Sequence, residues 1–263
     1  MPSSPESRSL AVFCDFENVA LGVREAKYAQ FDMEKVLERL LLKGSIVVKK
    51  AYCDWERYKE FKATMHGASF ELIEIPHLRQ SGKNSADIRM VVDALDLCYT
   101  KAHVDTFVIV SGDSDFSPLV SKLRENAKTV IGVGVKNSSS DLLISNCDEF
   151  IYYDDLVRAD EQKRRAAKKR RESAPAGEDK DKKQEAFDLM LETLNALIAE
   201  RGEDERIWGS MIKQALKRRK PGFNESYYGF RAFSDLLEEA EKRALIKLEP
   251  DEKSGGYLIR PAA

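Results

Sequence analysis

The chain has 263 residues, 43% hydrophobic and 33% charged, with a formal net charge of −2. That is enough apolar material to bury the core of one large domain, or of a medium and a small one. Attraction to a polyanion must come from local patches rather than from net charge, and no run of about 18 apolar residues is present to span a membrane.

The first segment, "MPSSPESRS", is polar and lacks the apolar stretch of a signal peptide. The four cysteines, Cys14, Cys53, Cys98 and Cys147, are scattered without a C-x-x-C pair. Both features lead us to expect a soluble cytoplasmic protein with reduced, buried thiols.

Short β-branched runs then alternate with amphipathic segments. "LAVFC" (10–14), "SIVVKKAYC" (45–53), "FELIEI" (70–75), "TFVIVS" (106–111) and "TVIGVGV" (129–135) predict strands, and "FIYY" (150–153) a short sixth. "DMEKVLERLLLKG" (32–44) and "DIRMVVDALDLCY" (87–99) carry apolar residues at helical spacing. In the second, Ile88, Val91, Val92, Leu95 and Tyr99 fall on one stripe. "SPLVSKLREN" (117–126) predicts a helix with Ser117 as N-cap and Pro118 at the first helical position. Strands alternating with helices indicate an α/β fold, a parallel sheet with helices on both faces.

Composition changes at "EQKRRAAKKRRESAPAGEDKDKKQ" (161–184), which packs seven basic residues between Lys163 and Arg171. It holds too little apolar surface to form a core, so residues 158–183 read as a charged linker whose first half suits a solvated helix. Beyond it, Phe187, Met190, Leu191, Leu194, Leu197 and Ile198 form a helical stripe. Further helices are predicted over 207–223 and 227–246, and a hairpin over 246–259. Three helices and a hairpin suggest a small winged helix-turn-helix domain over 184–260.

The chemistry-bearing residues are aspartates. Asp15 directly follows the first strand in "FCDFEN", Asp113 and Asp115 follow the fourth in "SGDSDF", and Asp87 opens the helix before that strand. In an open parallel sheet, ligands bind at the carboxyl ends of strands where the strand order reverses. If the first and fourth strands are neighbours, all four carboxylates converge. Two carboxylates 4 Å apart repel by ~4 kcal/mol at an effective dielectric of 20. A hard divalent cation would offset this, and oxygen ligands without His or Cys suit Mg2+ or Mn2+. Each acid also has a structural reading, as an N-cap or a favourable first-turn charge. Ser117 suits the cap of its helix and so leaves Asp113 without a structural task.

"FCDFENV", "GKNSADIRMVVDAL" and "FVIVSGDSDFSPLV", with "NCDEFIYYDDL" trailing, resemble the motifs of NYN domains, members of the PIN-like nuclease superfamily. The resemblance covers residues 8–157. It implies a PIN-like sheet and a metal-dependent ribonuclease site of Asp15, Asp87, Asp113 and Asp115, with Asn18, Ser111 and Lys83 in support. "RIWGSMIKQALKRRKPGFNESYYGFRAFSDLLEEA" resembles the LOTUS (OST-HTH) domain, a winged helix module thought to contact RNA or partner proteins. There, Lys213, Lys217, Arg218, Arg219 and Lys220 neighbour Tyr227 and Tyr228, an interleaving that suits unpaired RNA bases and equally suits a core edged by solvated lysines.

The expected function is a metal-dependent endoribonuclease acting on RNA. A non-catalytic RNA-binding adaptor is the alternative, and a protein partner or self-association through the C-terminal domain stays open. A haloacid dehalogenase-type phosphatase fits less well, because its D-x-D would need an aspartate where Glu17 stands.

Overall fold

In the computed structural model of the chain, residues 8–28, 30–75, 85–171, 178–202, 205–251 and 256–262 are described, without the side chains of 163–181. Two compact units emerge, with the main boundary between Ala166 and Ala167.

In the first unit the elements run β1 (Ser9–Asp15), α1 (Phe16–Glu25), α2 (Met33–Lys43), β2 (Ser45–Cys53), α3 (Lys59–Gly67), β3 (Glu71–Glu74), α4 (Ser85–Thr100) and β4 (Thr106–Val110). They continue with α5 (Ser117–Glu125), β5 (Thr129–Gly134), α6 (Asp141–Asn146), β6 (Glu149–Tyr152) and α7 (Tyr153–Arg171). The six strands form one parallel sheet in the order β3-β2-β1-β4-β5-β6. Chain order reverses between β1 and β4, so the carboxyl ends of those two strands flank the switch point where such sheets bind ligands.

Alternation along the strands builds two cores. Leu10, Val12 and Cys14 face one side with Val108 and Val110, against Val19 and Val23 of α1 and Met33, Val36 and Leu40 of α2. Ala11, Phe13, Phe107 and Ile109 face the other, against Met90, Ala94 and Cys98 of α4, Leu119, Val120 and Leu123 of α5 and Leu143 of α6. Phe13 and Phe107 stack at 6.0 Å across the β1–β4 pair. Burying each such ring contributes roughly 1.5–3 kcal/mol.

The predicted strands agree with the sheet to within about a residue at most ends, but the face of α4 does not. Met90, Ala94 and Cys98 are buried, whereas Ile88, Val92 and Tyr99 are exposed at 62%, 56% and 64%. Val91 and Leu95 of the expected stripe are half-buried against the same core, so the buried face is rotated from the expected one, toward Met90, Ala94 and Cys98. Ser117 departs too. It occupies the first turn of α5 rather than the cap, and Phe116 stands at the cap without a side-chain hydrogen bond. The segment expected to be a linker is helical over much of its length, within α7 and α8 (Glu178–Arg201). Its Ala, Lys, Arg and Glu are strong helix formers.

The second unit comprises α8, β7 (Ile207–Trp208), α9 (Gly209–Arg219), α10 (Phe233–Lys242), β8 (Ile246–Pro250) and β9 (Tyr257–Pro261). The strands form an antiparallel sheet in the order β7-β9-β8. Phe187, Met190 and Leu194 of α8, Ile212 and Leu216 of α9, and Leu236, Leu237 and Ala240 of α10 share one core. The predicted helix over 227–246 starts later, at Phe233, because a 3-10 turn over Glu225–Tyr228 ends at Gly229 with φ 83°. That left-handed conformation suits glycine and stops a helix.

Candidate functional site

Parallel pairing of β1 with β4 sets Cys14 opposite Val110, so Asp15 and Ser111 leave the sheet side by side. Asp15 is 7% exposed and Ser111 fully buried. The Ser111 hydroxyl donates to Asp15 Oδ2 at 3.0 Å and accepts from the Asp113 N–H at 3.2 Å. Asp15 Oδ1 accepts from the Asn18 N–H at 3.4 Å, which makes it the cap of α1. The Gly112 N–H donates to Asn18 Oδ1 at 2.9 Å and ties the loop after β4 to that helix. A side chain at Gly112 would put its Cβ 2.2 Å from the Ser138 carbonyl oxygen, so the close approach requires glycine.

Asp15 is pushed up to about 7, first by burial, then by the negative charge of Asp87, with a smaller push from Asp113, against the hydrogen bonds from Ser111 and Asn18. Two of the other expected aspartates, Asp87 and Asp113, therefore act on Asp15 at the end of β1. Asp113 nevertheless has a structural task that sequence pattern does not reveal. It caps the 3-10 turn over Ser114–Phe116 by accepting from the Asp115 N–H at 3.0 Å. Asp115 is exposed and lines a separate cavity with Ser114, Ser117, Pro118, Ser121 and Leu142. Lys83, the expected phosphate contact, lies outside the described residues. Among the described residues no group of three or more His, Cys, Asp or Glu is placed to hold a metal ion. What the described residues show is that Asp87 and Asp113 each act on the Asp15 carboxyl, without a formed ligand shell.

In the second unit, the basic and aromatic residues divide between surface and interior. Lys217, Lys220 and Tyr227 are exposed. Lys213 pairs with Glu225 at 3.1 Å, and Tyr228 stacks on Phe223 with ring centroids 5.2 Å apart. Arg218 is half-buried and already donates to backbone oxygen. Arg219 is a correction to the expected RNA-facing row. Its side chain is 7% exposed and bonds Glu192 Oε1 at 2.9 Å and Thr193 Oγ1 at 3.3 Å. One turn separates it from Ala215 and Leu216 on the buried face of α9, which draws it inward. Lys182, not among the expected residues, lies 5.4 Å from the Tyr227 ring centroid. Its distance in sequence from "KRRK" hid it.

A relative from Methanocaldococcus jannaschii, itself described as an uncharacterized protein, is 27% identical over 137 residues, 52% of this chain. The chain spans about half of that relative's length, 54%. The crystal structure of a protein of unknown function from Vibrio parahaemolyticus is similar at 28% identity and a TM-score of 0.52, covering 59% of this chain and 98% of that one. Residues 9–154, more than half of the chain, match the model of the NYN domain, and the chain belongs to that family.

Proposed function

We propose that the protein is a divalent-cation-dependent endoribonuclease whose site is the Asp15–Asp87–Asp113 cluster. The observation that carries this reading is Asp15, a buried carboxyl raised to about 7 by burial and by two further acids at the sheet's switch point. Purely structural acids are seldom grouped at such cost. The donor set is all carboxylate, which fits a hard cation such as Mg2+ or Mn2+. When bound, such an ion supplies positive charge against a phosphodiester and acidifies a water molecule.

The chain's own residues do the positioning. Ser111 holds Oδ2 of Asp15 while its oxygen accepts from the Asp113 N–H, so one hydroxyl sets the spacing of two acids. Asn18 locks the loop carrying Asp113 to α1. Burial of Asp15 keeps water from screening these charges, so their repulsion stays available to bind a cation.

The second unit, in this proposal, is a winged helix of the LOTUS kind that holds single-stranded RNA. Its order of helix, short strand, two helices and hairpin supports that reading, as do exposed Lys217, Lys220, Lys182 and Tyr227. An adaptor without turnover is the second reading, favoured by the capping bonds that already occupy Asp15 and Asp113. A phosphatase with a second acid at position 17 is disfavoured, because Glu17 pairs with Arg57 at 3.0 Å.

The cation site is tested by thermal unfolding. Saturating Mg2+ or Mn2+ should raise the Tm by several degrees, equivalent to about 2–3 kcal/mol at a hundredfold excess over Kd. Asp113→Asn should remove most of that rise. An equal rise in the variant would place the ion elsewhere.

A further inference from the structure

The residue in register with Asp15 on the neighbouring strand β2 is Tyr52, a fully buried side chain that the proposed chemistry does not use. Its hydroxyl donates to Asp93 Oδ2 of α4 at 2.9 Å. Lys50, two residues earlier on the same strand, donates to the same oxygen at 3.3 Å, and Arg89 Nε donates to Asp93 Oδ1 at 3.0 Å. The Asp93 side chain is 13% exposed. Burial pushes its carboxyl up, yet the Tyr52 hydrogen bond, the Lys50 charge and the Arg89 hydrogen bond hold it below the usual carboxylate range. Asp93 is thus an ionised group gripped from β2 and from its own helix.

The helix that Asp93 holds is the one that carries Asp87, about 9 Å away along the axis. Asp87 heads the stripe Asp87, Val91, Ala94 and Cys98, of which Ala94 and Cys98 are buried in the sheet-facing core and Val91 packs against it. Ile88, Val92, Leu95 and Tyr99 form a second stripe, offset by one residue at every position. Turning the helix by one residue, about 100°, would exchange the two. Apolar patterning does not choose between these rotations, because Ile88, Val92 and Tyr99 are apolar and yet exposed. The choice matters to the site, because the observed rotation turns the stripe headed by Asp87 inward, and the negative charge of Asp87 reaches Asp15. A buried hydrogen bond has a set length and direction, so it can fix a register that apolar contact leaves open.

We infer that Tyr52 and Asp93 are positioning residues: their hydrogen bond fixes the rotation of α4 that turns Asp87 toward Asp15, and so sets the affinity of the carboxylate cluster for its cation. The inference rests on that cluster being the cation site of the proposed function.

The test measures Mn2+ bound to the full chain from the loss of the free-ion EPR signal, with Mn2+ as the sole added ligand. Tyr52→Phe keeps the ring and removes the hydroxyl. It should weaken Mn2+ binding by about tenfold, the low end for residues that orient a metal's ligands. Leu40→Ala truncates a fully buried side chain in the core on the other side of the sheet, so it should lower the Tm more and leave Mn2+ affinity unchanged. Adding Val92→Gln to Tyr52→Phe makes the alternative rotation bury an amide, so it should restore most of the affinity. Equal Mn2+ affinity in the parent and Tyr52→Phe, or an equal loss in Leu40→Ala, would overturn the positioning role and leave the cation site standing. A double variant that binds no tighter than Tyr52→Phe would overturn helix rotation as the cause. A parent that binds no Mn2+ would overturn the cation site itself, and the inference with it.

Discussion

Asp15 is the residue on which the site turns, and its titration has a definite sign. In the folded chain it keeps its proton up to about 7, whereas an unfolded aspartate loses it near 3.9. Between those values the folded state binds the extra proton, so Asp15 withdraws stability as pH rises from about 4 to about 7. The full displacement corresponds to about 4 kcal/mol. Asp15→Asn cannot ionise and keeps an acceptor for Ser111. Its stability relative to the parent should therefore grow across that interval, measured by urea unfolding in chelator, and level off above it. A difference that stays flat with pH would mean that Asp15 is already ionised in the fold. The position of Asp15 was legible in the sequence, because an apolar run of alternating register ends on an acid. The capping bond of Asp113 was not, because Ser117 looked like the better cap and only the turn geometry shows that it lies one residue too far in.

At the scale of elements, α4 shows where apolar patterning misleads. Its expected stripe of Ile88, Val91, Val92, Leu95 and Tyr99 is only partly turned inward, with Ile88, Val92 and Tyr99 exposed. The face toward β1 and β2 is centred on Met90, Ala94 and Cys98, with Val91 and Leu95 half-buried at its edge, so the helix is turned from the expected stripe to pack closely. Met90→Ala should cost about 2–5 kcal/mol, as core truncations do, while Ile88→Ala should change stability by less than about 0.5 kcal/mol. Denaturant midpoints of the two variants decide between the faces, and a larger loss for Ile88→Ala would reverse the assignment. The strand order, by contrast, was nearly readable. Short runs separated by helices leave few right-handed topologies, and the β1–β4 adjacency that was a condition for the acids to meet is present in the sheet. The two-residue strand β7 was too short to leave a periodic signal, so the second sheet appeared as a hairpin alone.

At the scale of the whole molecule, the proposed function divides the labour: the acids Asp15, Asp87 and Asp113 lie in the NYN unit, and the exposed Lys182, Lys217 and Lys220 assigned to RNA lie in the second. The divided roles separate residues that one basic row in the sequence had merged. Lys217→Ala with Lys220→Ala should leave stability unchanged and lower the slope of log affinity against log salt by up to about 1.4, near 0.7 for each single-strand phosphate that the variant no longer neutralises. Arg219→Ala should instead destabilise its unit by about 1–3 kcal/mol, since its two part-buried hydrogen bonds to Glu192 and Thr193 are lost. An unchanged salt slope in the lysine variant would turn the second unit from RNA holding toward protein contact. The most direct measurement is cleavage of a single-stranded RNA by the full chain with Mn2+, alongside Asp113→Asn and excess chelator. Cleavage by the parent, abolished in both controls while the variant stays folded, is the predicted result. Cleavage that persists in chelator or in Asp113→Asn, or a folded parent that leaves RNA intact at every Mn2+ and Mg2+ concentration, would contradict a metal-dependent ribonuclease at this cluster.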